Sequence, residues 1–369
     1  MQKKIQWWEC NTADSDNNLI NKCLKSNWPN EGKYNAIFEK KIKKIIKAKY
    51  AISCTSGTAA LFLSLKALGV GPNDEVIVPN ITFIATANAV KMAGAKVILV
   101  DISKKNLLIN ENDLLKKITR KTKAIIAVHI SGRGNNIAEI KKIAKKKKIF
   151  LIEDAAEALF SSHKKKFYGT FGDAGCFSFS SNKIITTGQG GLIVTQSKSI
   201  YLKIKRFKNQ GRSGITTGGD DLITDEGFNF KFTDLQSALG LSQLKFIKKR
   251  QKILINIYKE YKENLNRNKK FYLYDFNLKE LEYPLWIDAY CSNRDELVKY
   301  LNKNRINTRN FWHPLNTTLP YKKNFITLPN SKKLNKKLLW LPCHFLMKKK
   351  DVKFVCKTIN NFFLKKNEY

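Results

Sequence analysis

Short apolar segments alternate with amphipathic ones in the first half of the chain, and this rhythm constrains the fold more than any other feature. The apolar segments are predicted strands, and they lie in GPNDEVIVP and at 96–101, 124–129 and 149–154. Strands without a polar face are buried on both sides, as in a parallel sheet covered by helices. The sequence therefore predicts an α/β fold with a mostly parallel sheet. Ligands of such sheets bind at the carboxyl ends of the strands, and Asp154 occupies such an end.

The segments between and before these strands have helical periodicity. Apolar residues recur at helical spacing over 36–48, opposite a lysine-rich face. A Ser-Gly-Thr-Ala turn at 56–59 opens a further helix, which Gly69 ends. Additional helices are predicted at 85–93, just after Asn110, and at 137–147.

The pattern of predicted strands and helices changes towards the C-terminus. Two shorter strands, CFSFS and GLIVT, are followed by a Gly- and Thr-rich loop over 211–229 and a long helix from Thr233 past Arg250. Strands at 271–274 and 285–289 and a helix at 295–303 come next. A chain of 369 residues favours two domains. We predict a large α/β domain over 1–250 and a smaller C-terminal α+β domain over 251–369.

Several candidate catalytic and binding residues lie in the stretch 152–195. Asp154 ends an apolar strand, Ser178 follows in CFSFS, and Lys183 lies in a turn before a glycine cluster. A partly desolvated amine suits a Schiff base, although in so lysine-rich a chain a single lysine is usually a solvated surface charge. The 56–59 turn presents backbone N–H groups at a helix start, which suits a phosphate or serves merely as a cap. Phosphate cradle, carboxylate, hydroxyl and amine, in this order, match the needs of pyridoxal phosphate.

Several motifs in the same order resemble those of one enzyme family. They are SGTAAL, TFIATANAV, EDAAEAL, GTFGDAGCFSFSSNKIITTGQGG and GFNFKFTDLQSALGLSQL. On these motifs the chain, from about Asn27 to Phe362, resembles the sugar aminotransferases of the DegT/DnrJ/EryC1/StrS family. The resemblance implies the aspartate aminotransferase-like fold, pyridoxal phosphate (PLP) fold type I, with PLP as cofactor.

The resemblance also implies roles around the reacting end of the cofactor. Lys183 would form the Schiff base with the cofactor aldehyde and, once released, carry the proton between substrate and cofactor. Asp154 would pair with the pyridinium nitrogen and keep it protonated. Phe83 would stack on the pyridine ring.

Other residues are implied to hold the phosphate. Gly57 and Thr58 would bind it through backbone amides, with the Ser178 hydroxyl as a further donor. Asn229 would reach the cofactor phosphate of a second subunit, which implies a homodimer with shared active sites.

The chain departs from the family pattern beside the cofactor. Glu157 stands near the cofactor's 3-oxygen, where the family more often has Gln or His, and a carboxylate there would repel a phenolate unless protonated. Ser180-Ser181-Asn182 precede the lysine where His-Pro-Thr is common. His129 ends a strand and fits either an active-site role or a satisfied structural histidine. Four histidines without metal-ligand spacing predict no metal.

Charge and targeting features bear on partners and location. The net charge of +38 by itself favours nucleic acid or another anionic partner. The lysines are spread over the whole chain, however, and runs such as 40–49 and 141–148 are typical of solvated helix faces. We therefore expect no nucleic-acid partner. No apolar run approaches the ~18 residues of a membrane helix, and no signal peptide is present, so we expect a cytoplasmic protein without a membrane partner.

These observations predict a PLP-dependent aminotransferase that moves an amino group from glutamate to a nucleotide-linked 4-keto-6-deoxy sugar. GFNFKF and the glycine- and aspartate-rich residues before it resemble the perosamine synthase-like members of the family. A 3-keto sugar acceptor is an alternative within the family. A non-catalytic basic protein that binds anionic polymers is the alternative outside it.

Overall fold

A computed structural model of the chain describes residues 4–134, 136–213, 222–322 and 327–365. The strands are β1 (Tyr50–Cys54), β2 (Glu75–Pro79), β3 (Lys96–Val100), β4 (Thr122–Val128), β5 (Phe150–Asp154), β6 (Ser162–His163), β7 (Lys166–Phe167), β8 (Ala174–Ser178), β9 (Gly191–Thr195), β10 (Phe271–Leu273), β11 (Ile287–Cys291), β12 (Arg309–Asn310) and β13 (Leu338–Leu341). The helices are α1 (Asp14–Lys25), α2 (Lys33–Ile46), α3 (Gly57–Ala67), α4 (Ala85–Met92), α5 (Glu111–Lys117), α6 (Ile137–Lys147), α7 (Lys198–Phe207), α8 (Asp234–Gln243), α9 (Ile247–Asn264), α10 (Arg294–Lys303), α11 (Pro329–Leu334) and α12 (Lys349–Lys365).

A seven-stranded sheet forms the centre of the molecule, with the strand order β1-β9-β8-β5-β4-β2-β3. The pairings from β8 through to β3 are all parallel. Only β9 runs in the opposite direction, antiparallel to both β1 and β8. Every residue of β2 is buried, as expected for a strand covered on both faces. The predicted α/β fold with a mostly parallel sheet is confirmed.

Helix α3 packs beside this sheet, and its N-terminus is fixed by a cap. Nearly all of its side chains are buried, and it packs against α4, α7 and the strands β8 and β9. Ser56 caps it, because its hydroxyl accepts the Ala59 N–H at 3.1 Å. On the other side, α2 buries Phe38, Ile42 and Ile46 at helical spacing. The helices predicted at 36–48 and after Ser56 are thus confirmed to within a few residues.

A second, four-stranded antiparallel sheet has the order β10-β11-β13-β12. Helices α9 and α12 pack against each other beside it. The N-terminal segment also joins this region, since Ile5 bridges Ile306 and the Trp7 carbonyl accepts the Cys343 N–H at 3.0 Å. Helix α9 runs through the proposed domain boundary at residue 250. The division into 1–250 and 251–369 stays a prediction.

The predicted elements of the C-terminal half also have counterparts. The helix expected from Thr233 begins there with a capping box, in which the Thr233 hydroxyl accepts the Gln236 N–H. It continues through a 3₁₀ turn into α9. Of the loop predicted at 211–229, residues 214–221 lie outside the described residues. Helices α1 and α12 and strands β1 and β13 were not predicted. None of the described helices has the length and apolar character needed to cross a bilayer.

Candidate active site

A cavity of about 290 Å³ opens where parallel strands of the central sheet end. Strands β4, β5 and β8 run in the same direction, and Val128, Asp154 and Cys176 lie side by side at their carboxyl ends. This is the edge at which parallel sheets bind ligands. Seven of the eight predicted site residues line the cavity: Gly57, Thr58, Phe83, Asp154, Glu157, Ser178 and Lys183. The eighth, Asn229, lies outside it, exposed and bridged to Asn209.

The N-terminus of α3 faces this cavity through Gly57 and Thr58. The first N–H groups of a helix have no acceptor within it, so they are available to an anion and lie at the positive end of the helix dipole. A Cβ at Gly57 would lie 3.0 Å from the Ser178 Cβ. Glycine therefore lets the helix start approach the strand end that carries the Ser178 hydroxyl.

Asp154 is almost completely buried at the end of β5. Its Oδ2 accepts the Thr86 hydroxyl at 2.8 Å, and its Oδ1 accepts the Ala156 N–H at 3.2 Å. Burial raises the pKa of Asp154, while these hydrogen bonds and the nearby Lys183 charge oppose the rise. A buried carboxylate of this kind gains from a cationic partner at its free edge.

Lys183 is held in a tight turn beneath the cavity. Its N–H donates to the Ser180 carbonyl at 3.1 Å, and the next two residues, Ile184 and Ile185, are buried. Because these isoleucines anchor the turn, the Lys183 side chain is directed inward and is only 11% exposed. Its Nζ lies 3.4 Å from Glu157 Oε1.

Glu157 receives hydrogen bonds on both carboxylate oxygens. Oε1 accepts the Trp286 indole N–H at 3.1 Å in addition to Lys183 Nζ, and Oε2 accepts the Ser131 N–H at 2.9 Å. Ser131 has a left-handed backbone with φ of 55°, and its hydroxyl donates to Asp288 at 2.8 Å. Asp288 lies on β11, so the second sheet fixes the backbone that binds Glu157.

His129 has the bound partner expected of a structural histidine, and its active-site role stays a prediction. Its Nε2 lies 2.8 Å from Glu153 Oε2, and its ring stacks on Tyr168 with centroids 4.3 Å apart. The residue is buried yet also lines the cavity. It is a histidine with a bound partner, placed next to the active-site carboxylates.

Aromatic residues of the second sheet and its loops form the opposite wall. Trp286, Trp312 and Trp340 line the cavity, and Phe83 lies 6.0 Å from Trp312 between ring centroids. Phe83 is half exposed. Its predicted stacking on the cofactor ring stays a prediction.

Sequence reasoning missed several residues that complete this site. Thr86 lies inside the TFIATANAV motif, so its position in that motif could have indicated it. Trp286 and Ser131 contact Glu157 from distant parts of the chain, and no local pattern points to them. Arg309 and the other two tryptophans of the wall were missed for the same reason.

Comparisons with known proteins identify the family to which the chain belongs. The model of the DegT/DnrJ/EryC1/StrS aminotransferase family matches residues 11–360. The GDP-perosamine synthase of Escherichia coli O157:H7 is 34% identical, over 98% of this chain and 99% of that protein. Helicobacter pylori PseC, an aminotransferase involved in the biosynthesis of pseudoaminic acid, superposes with a TM-score of 0.92 at 26% identity, covering 98% of this chain and 100% of PseC.

The fold is also that of a structure solved with the cofactor in place. The PLP form of the putative sugar aminotransferase Spr1654 from Streptococcus pneumoniae has a TM-score of 0.90 at 22% identity, covering 98% of both chains. At that identity the likeness shows the fold alone. The fold-type-I architecture is thereby confirmed. With a family match that spans nearly its whole length, the chain belongs to the DegT/DnrJ/EryC1/StrS family of sugar aminotransferases.

Proposed function

We propose that the protein is a PLP-dependent aminotransferase that takes an amino group from glutamate and delivers it to a nucleotide-linked 4-keto-6-deoxy sugar. The observation that carries the proposal is the position of the Lys183 amine. It lies 3.4 Å from Glu157 in a cavity that also presents Asp154 and the start of α3. An amine, a buried acid and an anion-binding helix start around one cavity are the groups that PLP requires.

The residues present fit this cofactor. The N-terminus of α3, with Gly57, Thr58 and the Ser178 hydroxyl, offers donors to its phosphate. Asp154 offers a buried carboxylate to its ring nitrogen, and burial favours a cationic partner there. When bound, the cofactor supplies an electron-withdrawing ring that stabilises negative charge on the substrate carbon.

The side chains of this protein then have distinct tasks. Lys183 would hold the cofactor covalently and, when displaced by substrate, move a proton at its Nζ to and from the substrate carbon. Glu157 orients this amine, and its two other donors, Trp286 and Ser131, fix the carboxylate itself. Asp154 would keep a proton on the ring nitrogen.

The substrate assignment draws on the relatives. The E. coli relative is a GDP-perosamine synthase, which supports a nucleotide-linked sugar acceptor here. A 3-keto sugar remains the alternative acceptor within the family. Family membership supports catalysis over the polymer-binding role that the net charge of +38 also suggested.

A homodimer with shared sites is part of the proposal. Asn229 is exposed, as is half of Phe83 at the cavity mouth, so both are accessible to a second subunit. The cytoplasmic location stays a prediction.

Cofactor attachment is tested with Lys183→Ala and the matched control Lys142→Ala, whose lysine is exposed on α6. Purified protein incubated with PLP should show the visible absorption of a lysine Schiff base, and borohydride should fix it to the chain. Lys183→Ala should lose both signals and Lys142→Ala should keep them. Schiff-base absorption that persists in Lys183→Ala would contradict the assignment.

Substrate and product are tested by mass. The protein is incubated with glutamate and a panel of GDP-, UDP- and dTDP-linked 4-keto and 3-keto sugars. We expect one 4-keto substrate to gain an amino group in place of its ketone, with formation of 2-oxoglutarate. Amination of a 3-keto substrate alone would favour the alternative acceptor.

A further inference from the structure

One basic residue in the wall of the cavity has no role in the scheme above. Arg309 lies on the two-residue strand β12, directly opposite Trp340 of β13 in the antiparallel register. It lines the same cavity as Lys183 and Asp154. Its side chain is neither fully buried nor fully exposed.

The Arg309 guanidinium packs against two indole rings that also contact each other, with their centroids 6.2 Å apart. Its Cζ lies 4.9 Å from the centroid of Trp7 and 5.5 Å from that of Trp340. Such cation–π contacts use none of the guanidinium N–H groups in a conventional hydrogen bond, so these groups can still donate to a carboxylate or phosphate. Within the part of the chain that the structure describes, the Arg309 side chain has these two ring contacts, and no carbonyl or carboxylate accepts a hydrogen bond from it.

Arg309 differs in this from other arginines in the molecule. Arg133 is paired with Asp288, and Arg206 with Asp225. Arg250 donates to the Ile184 carbonyl and to the Gln243 amide oxygen. An arginine that is oriented by its neighbours but has its donors unused is prepared for an acceptor from outside.

The acids of the cavity do not neutralise Arg309. Asp154 is bound by Thr86 and Ala156, and Glu157 by three donors. Trp286 contacts both Glu157 and Trp340, and Trp340 in turn contacts Arg309. Among the described residues, neither carboxylate of the cavity forms an ion pair with Arg309, whereas Glu157 forms one with Lys183.

We propose that Arg309 is the anion-recognition residue of the substrate cavity, with Trp7 and Trp340 as its positioning residues. The inference rests on the proposed function, because the ligand is a substrate of that same cavity. The planar fork matches two oxygens of a carboxylate or of a phosphate. Two sources offer such oxygens: the carboxylate of the amino donor and the diphosphate of the nucleotide sugar.

Two unreactive probes separate these sources. GDP and UDP carry the diphosphate without the sugar ketone, and glutarate carries the carboxylates of glutamate without its amino group. Their dissociation constants are measured by calorimetry on the PLP-treated protein and on Arg309→Gln. Arg267→Gln is the matched control, because Arg267 is exposed and is not among the residues that line the cavity.

The loss of a charge-assisted, two-point contact should weaken one probe by about 10- to 100-fold in Arg309→Gln. Weakening of the nucleotides alone assigns Arg309 to the diphosphate, and weakening of glutarate alone assigns it to the donor carboxylate. Arg309→Lys keeps the charge without the fork and should recover only part of the affinity. Trp7→Leu leaves the arginine in place but removes one ring, and should weaken the same probe by about 2- to 5-fold.

Equal affinities for every probe in Arg309→Gln and Arg267→Gln would overturn the proposal, and so would an unaltered protein that binds none of them. The affinities do not depend on turnover. An unaltered protein that binds the probes but forms no Schiff base would instead refute the proposed function while leaving the anion site in place.

Discussion

Replacing Glu157 with glutamine should destabilise the protein. Both Glu157 oxygens act as acceptors: Oε1 for Trp286 and Lys183, Oε2 for the Ser131 N–H. A glutamine has one acceptor oxygen and one NH₂ group. Whichever way the amide turns, its NH₂ faces at least one N–H donor.

The size of the effect follows from this geometry. A buried donor left without an acceptor costs about 1–3 kcal/mol of the free energy of unfolding. The Glu157 side chain is only 9% exposed, so water compensates little. We expect the thermal midpoint of the cofactor-free protein to fall by roughly 2–6 °C.

The assay compares thermal unfolding of Glu157→Gln with that of Glu139→Gln at equal protein concentration and pH 7. Glu139 lies on the surface of α6 beside Lys142, and its loss should change the free energy by less than about 0.5 kcal/mol. Adding Trp286→Phe removes the indole donor and should reduce the cost of the glutamine. A Glu157→Gln midpoint equal to or above that of the unaltered protein would refute the reasoning.

Two further substitutions test other parts of the structure. Burial raises the pKa of Asp154 above its unfolded value, so the stability that its proton contributes is present at low pH and is lost as pH rises through the folded pKa. Cofactor-free Asp154→Asn should therefore melt above the unaltered protein at pH 7.5, and this gain should shrink towards pH 4; a gain independent of pH would contradict the prediction. Gly132→Ala should cost more than about 2 kcal/mol, because φ is 104° and the added Cβ would lie 2.1 Å from the Tyr283 carbonyl oxygen. In thermal unfolding Gly71→Ala, where a Cβ meets open space, should be nearly neutral, and equal midpoints for the two variants would count against the steric argument.

Most of the central sheet could be predicted because six of its seven strands carry an apolar signal of their own. Strand β2 is buried at every position and apolar after Glu75, and the strand predicted at 96–101 corresponds to β3. Strand β1 was missed because its partner β9 lies some 140 residues later in the chain. Helix α1 was missed because polar tertiary contacts help to hold it: buried Asp16 accepts from Gln243 at 2.6 Å, which no apolar periodicity reveals.

The residues of the candidate active site likewise fall into those that the sequence predicts and those that it does not. Asp154, Ser178 and Lys183 belong to contiguous motifs, and their chemistry is evident from residue type and spacing. Trp286 reaches Glu157 only because the second sheet packs over the first, and local sequence does not encode that packing. The sequence gives only a weak indication that Arg309 is functional, which is that arginine is rare among the basic residues of this lysine-rich chain.

The N-terminal segment has a consequence for how the protein is made. Trp8 donates its indole N–H to the Ser181 carbonyl at 3.1 Å, two residues before Lys183, while the Trp7 carbonyl accepts from Cys343. Trp7 and Trp8 leave the ribosome well before Cys343, which emerges tens of seconds later at about 5–20 residues per second. The catalytic cavity thus cannot close around a nascent chain, and a truncated translation product would lack a finished site however well its central sheet had folded.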